Sequence, residues 1–213
     1  MSLDKKKIDY SFYIITDGGD NIIDTTRESI LGGATVVQYR EKHKPYKVML
    51  EEAKKLKDLC DEHGVLLIIN DYIDIAKAVG ADGVHLGQGD ESIIKAKKQL
   101  GEGKIIGISA KTFEQAKIAY ENGADYIGFG AMFPTQSKAD AEYADIEEFK
   151  AIKRNLNIPV VLIGGINLEN VKEIDLDYDG VCVISAVYSS KDPKGVSEKF
   201  CEIIKERLEK NKK

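Results

Sequence analysis

Three cations and two carboxylates in this 213-residue sequence each follow a short apolar run. Arg40 and Lys42 follow Val36-Val37-Gln38-Tyr39. Asp71 follows Leu67-Ile68-Ile69-Asn70, and Asp90 follows Val84-His85-Leu86. Lys138 ends the segment Pro134-Thr135-Gln136-Ser137-Lys138, after Phe129-Gly130. Adjacent strands lie roughly 4.7–4.9 Å apart, so carboxylates at two successive strand ends could share one ion. Bare carboxylates that close would raise each other's pKa, and a divalent cation removes the conflict. An all-oxygen ligand set with cations nearby for phosphate oxygens suits Mg²⁺. Each aspartate also has a plainer reading as a helix cap, Asp71 for a helix from near Tyr72 and Asp90 for one near Ser92. Gly164-Gly165 ends a seventh run and Ser185 an eighth. Glycines there let free backbone N–H groups approach a phosphate.

The remaining polar residues are plainer. His43 and His63 sit in charged surroundings and read as solvated, whereas His85, inside an apolar run, reads as a satisfied interior histidine. Cys60, Cys182 and Cys201 read as core or helix residues. Their odd number and the lack of a C-x-x-C pair fit a reducing compartment. No Gly-x-Ser-x-Gly or His-Glu-x-x-His motif occurs.

Positioning these groups is the task of the alternating elements around them. Apolar runs recur at Phe12–Thr16, 36–40, Leu66–Asn70, Gly83–Leu86, 105–109, 126–130, Val160–Ile163 and 181–184. Most are continuous, β-branched or aromatic, as in a parallel sheet buried on both faces. Amphipathic stretches separate them, at 47–63, Ile93–Leu100, 113–122, 146–156 and 196–208. Gly64, Gly101 and Gly123 mark helix ends. The pattern Gly-Ala-Asp recurs at 80–82 and 123–125, ending one helix and feeding the next strand. Eight such units predict a (β/α)₈ barrel, an α/β fold, with an open doubly wound sheet as the alternative. The even count and the missing G-x-G-x-x-G favour the barrel. One domain over 1–213 is expected, with frayed ends near 1–10 and 209–213. In a barrel, these polar strand ends meet at one mouth.

Composition narrows the function. The formal net charge is −5, with cations mostly interleaved among acids, which argues against nucleic-acid binding. There is no run of about 18 apolar residues and no signal-like leader, so no membrane partner and a cytoplasmic location are expected.

The ordered set Val36–Lys42, Ile69-Asn70-Asp71, Gly83–Asp90, Ile106–Ala110, Phe133–Lys138, Ile163–Ile166 and Val183–Ala186 resembles thiamine-phosphate synthase from about Phe12 to Pro193. The resemblance implies a (β/α)₈ transferase of thiamine biosynthesis. It would join 4-amino-2-methyl-5-(diphosphooxymethyl)pyrimidine to a thiazole phosphate and release pyrophosphate. By motif, Gln38, Tyr39, Arg40, Glu41, Lys42, Asn70, Ser109 and Lys138 would hold the pyrimidine diphosphate. Asp71 and Asp90 would ligate Mg²⁺. Thr135, Gln136, Ser137, Gly165, Ile184 and Ser185 would hold the thiazole phosphate, largely through backbone. Departures are Lys111 where histidine is expected, Ala139-Asp140-Ala141 without a proline, and Gly18-Gly19 after the first strand.

This chemistry explains the residue types. An electron-rich aminopyrimidine stabilises positive charge on the methylene carbon, so the expected step is dissociative, with charge growing on the departing pyrophosphate. Arg40, Lys42 and Lys138 are the expected clamps that neutralise it beside Mg²⁺, and Ser109 is expected among the catalytic groups. The attacking ring nitrogen carries no proton, so no general base is needed. Rival readings are a thiazole tautomerase, another phosphate-binding barrel of the indole-glycerol-phosphate synthase kind, and a barrel that binds thiamine precursors without turnover. The expected partners are small-molecule substrates, with a homo-oligomer allowed.

Overall fold

The computed structural model describes residues 5–88, 92–135 and 143–210. Eight parallel strands close into a barrel in sequence order. They are β1 (Phe12–Ile15), β2 (Val36–Tyr39), β3 (Leu66–Asn70), β4 (Gly83–Leu86), β5 (Ile105–Ala110), β6 (Tyr126–Phe129), β7 (Val160–Ile163) and β8 (Gly180–Val183). The surrounding helices are α1 (Ile22–Leu31), α2 (Tyr46–His63), α3 (Ile73–Val79), α4 (Ile93–Leu100), α5 (Phe113–Glu121), α6 (Ile146–Asn155), α7 (Ser185–Tyr188) and α8 (Pro193–Lys210).

The continuous apolar runs are explained by their two-sided burial. Successive strand residues point to opposite faces. Tyr13, Ile15, Val36, Ile68, Ile105, Val161 and Cys182 pack inside the barrel. Phe12, Ile14, Val37, Leu67, Ile69, Val84 and Ile127 pack outward under the helices. The three cysteines sit as expected, Cys60 and Cys182 buried and Cys201 partly covered on α8. Burial pushes the Cys60 thiol up to about 12, with the Asp82 charge adding to the shift. Such a thiol is packing rather than a nucleophile.

The recurring Gly-Ala-Asp has a structural reason. Gly80 ends α3 with a left-handed φ of 69°, and Ala81 is buried behind it. The Asp82 carboxylate then accepts the Leu67 amide of β3 at 2.9 Å, while the Asp82 amide donates back to the Leu67 carbonyl at 2.9 Å. Asp125 repeats this clip on Ile106 of β5, at 2.8 and 2.7 Å. Asp179 repeats it on Val160 of β7, at 2.7 and 3.0 Å. Thr35 does the same for Phe12 of β1 with its hydroxyl. Each even-numbered strand is thus tied to its predecessor at the N-terminal end of the barrel, the end concerned with stability.

One connection departs from the alternation. Between β7 and β8 the chain makes a 3₁₀ turn at Asn170–Glu173 instead of an α-helix. The Asn167 side chain accepts the amides of Glu169 and Asn170 at 2.9 and 3.0 Å, a local turn that competes with helix propagation. Among the described residues, no helix is long and apolar enough to cross a membrane.

Candidate functional site

The C-terminal strand ends converge on one mouth, and most of the expected residues are there. Gln38 is buried near the end of β2, facing the interior cavity with His85, Ser109 and Tyr126. Asn70 ends β3, paired in register with His85 of β4. Ser109 lies near the end of β5, beside Gly128 of β6. Gly165 follows β7, and Ile184 and Ser185 follow β8. Asp90, Gln136, Ser137 and Lys138 lie outside the described residues.

The β2 loop is built to present cations. The Thr16 hydroxyl donates to the Arg40 carbonyl at 3.0 Å and accepts the Arg40 amide at 2.9 Å, pinning that backbone to the end of β1. The Glu41 carboxylate accepts the amides of Lys42, His43 and Lys44, at 2.7, 2.7 and 3.2 Å. Lys44 is spent on Glu52, at 2.7 Å. Among the described residues neither Arg40 nor Lys42 has an ion-pair partner.

Two expected binding residues turn elsewhere. Tyr39 points outward, where its hydroxyl donates to Glu52 of α2 at 2.7 Å. Its main chain alone stays near the mouth. Glu41, 6% exposed, organises its own loop. Burial opposes its ionisation, but the amides of His43, Lys44 and Lys42 and the Lys44 ammonium outweigh that and hold the carboxyl below its usual value. A depressed carboxyl contributes stability in full above the unfolded value of about 4.3, and loses it as pH falls through the lower folded value. Glu41→Gln is therefore expected to lower the thermal midpoint at neutral pH, with the gap to native protein closing in the acid range below about pH 4. Thermal melts from neutral to acid pH check this, and a pH-independent gap would show that the carboxylate charge is not what holds the loop.

Asp71 follows β3 in the left-handed region, at φ 64°, the one described non-glycine residue there. Its amide donates to the His85 carbonyl at 3.0 Å, which carries the β3 end across to β4. The capping alternative does not describe it. Helix α3 starts from Tyr72 with no side-chain cap, and Ser92 caps α4 through the Lys95 amide. Asp71 is a hard oxygen donor on the rim between two strand ends. That fits Mg²⁺, whose usual ligands are one or two carboxylates with substrate phosphates. Among the described residues, no cluster of three or more His, Cys, Asp or Glu forms a complete metal cage.

Opposite this acidic edge lies a seat made of backbone. Gly164 and Gly165 have φ values of 100° and 66°. Met132 and Phe133 donate to the carbonyls of Ile163 and Gly164, at 3.0 and 2.9 Å. The loop after β6, which continues to Thr135, is thereby laid against the end of β7. Helix α7 begins at Ser185, and the amides of its first residues have no acceptor within the helix. A short extra helix after β8 beside a glycine turn after β7 is a recurrent phosphate seat in barrels.

Sequence reasoning missed Thr16, which looked like a strand residue, and Gln88, whose side chain donates to the Ser109 carbonyl at 2.8 Å. It also missed the interior tyrosines Tyr13 and Tyr126. His85 is the interior histidine that its context implied, bonded at both ring nitrogens.

With this geometry in place, comparisons identify the lineage. A family model described as thiamine monophosphate synthase matches residues 12–187. A thiamine-phosphate synthase of Clostridium tetani is 44% identical, over 94% of this chain and 99% of that one. One of Ruminiclostridium cellulolyticum is 45% identical, over 94% and 98%. The solved thiamine phosphate pyrophosphorylase from Pyrococcus furiosus superposes with a TM-score of 0.86 at 38% identity, covering 94% of this chain and 98% of that one. A phosphoribosyl anthranilate isomerase from Thermotoga maritima, at 17% identity and TM-score 0.66, shares the fold alone. The chain belongs to the thiamine monophosphate synthase family, and its activity is that of a transferase.

Proposed function

We propose that the mouth joins 4-amino-2-methyl-5-(diphosphooxymethyl)pyrimidine to a thiazole phosphate, giving thiamine phosphate and pyrophosphate by dissociative substitution. The observation that carries this reading is the placement of Arg40 and Lys42, which no described acid pairs, on the β2 loop of an acidic protein, on the same rim as Asp71. Arg40 and Lys42, with Lys138, bind the diphosphate and stabilise the charge that grows on it as the carbon–oxygen bond breaks. Such donors are worth more in a prepared site than in water. Asp71 and Asp90 would hold Mg²⁺, which supplies Lewis-acid neutralisation of pyrophosphate oxygens when bound. Asn70, Gln38 and Ser109 orient the pyrimidine.

The second substrate sits on the backbone seat. Gly165, Ile184 and Ser185, with Thr135, Gln136 and Ser137, hold the thiazole phosphate so that the ring nitrogen faces the methylene carbon. Holding both partners replaces a bimolecular encounter with proximity. The nitrogen has no proton to lose, so the step needs no general base.

The test is an assay with both precursors, with and without Mg²⁺, following thiamine phosphate and pyrophosphate together. Stoichiometric release of both, dependent on Mg²⁺, is expected. Metal-independent isomerisation of the thiazole without coupling would replace this reading with a tautomerase. Tight binding of the diphosphate without pyrophosphate release would replace it with a binding protein.

A further inference from the structure

A chain of hydrogen bonds crosses the barrel interior. Gln38 Nε2 donates to the Tyr13 hydroxyl at 2.8 Å. Tyr13 and Tyr126 hydroxyls meet at 2.8 Å, Tyr126 meets His85 Nδ1 at 2.9 Å, and His85 Nε2 meets Ser109 Oγ at 2.9 Å. Space for it is built into the strands. A Cβ on Gly107 would stand 2.1 Å from the Tyr126 ring, and one on Gly128 would stand 3.0 Å from His85.

The order of donors follows from proton counting. The Gln38 amide nitrogen can only donate. If Tyr13 also accepted from Tyr126, its own hydrogen would be unpartnered in the interior, where Tyr13 is 1% exposed. Tyr13 therefore donates to Tyr126, and Tyr126 to His85 Nδ1. That leaves the His85 hydrogen on Nε2, directed at Ser109 Oγ. Burial raises both tyrosines far above their ordinary value, so each keeps its hydrogen to pass on.

We infer that Gln38, Tyr13, Tyr126 and His85 form a one-way relay that leaves the Ser109 hydroxyl hydrogen pointing out of the relay, making Ser109 an obligate donor to an acceptor atom on the pyrimidine substrate. This rests on the placement of that substrate at Ser109 proposed above. Tyr13, Tyr126 and His85 are positioning residues. The relay rejects a ligand that offers a donor at this point.

The experiment reads the relay and its consequence separately. In ¹⁵N-histidine-labelled protein at neutral pH, without substrate, His85 is expected in the Nε2–H form, assigned by comparison with His43→Gln and His63→Gln. Gln38→Glu offers an acceptor where the amide donates, and should convert His85 to the Nδ1–H form. An Nδ1–H or doubly protonated His85 in the unmodified chain overturns the relay, whether or not any variant folds. So does an unchanged tautomer in folded Gln38→Glu. For the consequence, Tyr126→Phe and Ser109→Ala should each raise KM for the pyrimidine diphosphate about ten- to a hundred-fold. The Tyr126→Phe effect should vanish in the Ser109→Ala background. Additive effects, or a Ser109→Ala KM equal to native, overturn the donor role while product still forms. Absence of product from the unmodified protein would sink the proposed reaction and leave the tautomer result standing.

Discussion

Asp71→Asn is expected to lower turnover by a factor of about 10²–10³, the scale of losing one electrostatic contribution to the transition state, with little change in thermal midpoint. The substitution is chosen from the backbone. Asp71 has φ 64°, and alanine there would add strain to the loss of charge. Asparagine tolerates the left-handed region nearly as well as aspartate, so the fold is spared and only the carboxylate is lost. The Mg²⁺ concentration needed for half-maximal rate should rise in the same variant. Steady-state kinetics across a Mg²⁺ series, beside thermal melts, make the measurement. Near-native turnover at every Mg²⁺ concentration in a well-folded Asp71→Asn protein would remove Asp71 from the metal-binding role. A large fall in the thermal midpoint would mean that the residue serves the β3–β4 junction instead.

The prediction depends on charge arrangement across the mouth. On one side stand Arg40 and Lys42, fixed by Thr16 and Glu41 and not neutralised by any described acid. Beside them stands Asp71, whose amide is bonded to the neighbouring strand rather than to the helix that follows. A cation at Asp71 and two cationic side chains attract the same polyanion. They also repel each other when it is absent. Diphosphate binding and metal binding should thus be mutually reinforcing, which is reciprocal by linkage.

The fold was readable because its determinants are local. Buried parallel strands demand continuous apolar runs, and all eight strands overlap the expected runs, with β5 running one residue longer and β8 starting one residue earlier. The helix 93–100 fell on its expected bounds because Ser92 and Gly101 mark its ends. The missing helix between β7 and β8 was not readable, since Asn167 acts through its side chain on the backbone two and three residues on. For the candidate site, strand-end position put Arg40, Asn70, Asp71 and Ser109 at one mouth, because in a parallel barrel it decides which face a residue serves. Direction was harder. Tyr39 and Gln38 are adjacent, yet one faces α2 and the other the interior. The relay was out of reach because it joins strands β1, β2, β4, β5 and β6 through side chains up to 113 positions apart, where no spacing rule applies.

Gly165→Ala should be as damaging as loss of the carboxylate, through a different cause. A Cβ at this position would stand 2.3 Å from the Pro134 carbonyl oxygen and 2.7 Å from that of Phe133. Those atoms are backbone, so they cannot move aside as a flexible side chain would. The φ of 66° adds roughly 1–2 kcal/mol for any residue with a Cβ. Relief requires the loop after β6 to lift from the end of β7, and that loop carries Thr135 toward Gln136, Ser137 and Lys138. The expected result is a folded barrel with a lower thermal midpoint and a KM for thiazole phosphate raised about a hundred-fold, if one charged hydrogen-bond network is displaced. The KM for the pyrimidine diphosphate should rise less, because Arg40 and Lys42 are held by Thr16 and Glu41 on the β2 side. Kinetics with each substrate varied in turn decide the matter. An equal rise in both KM values would mean that the glycine supports the whole mouth, and unchanged values would mean that the thiazole phosphate binds away from the end of β7.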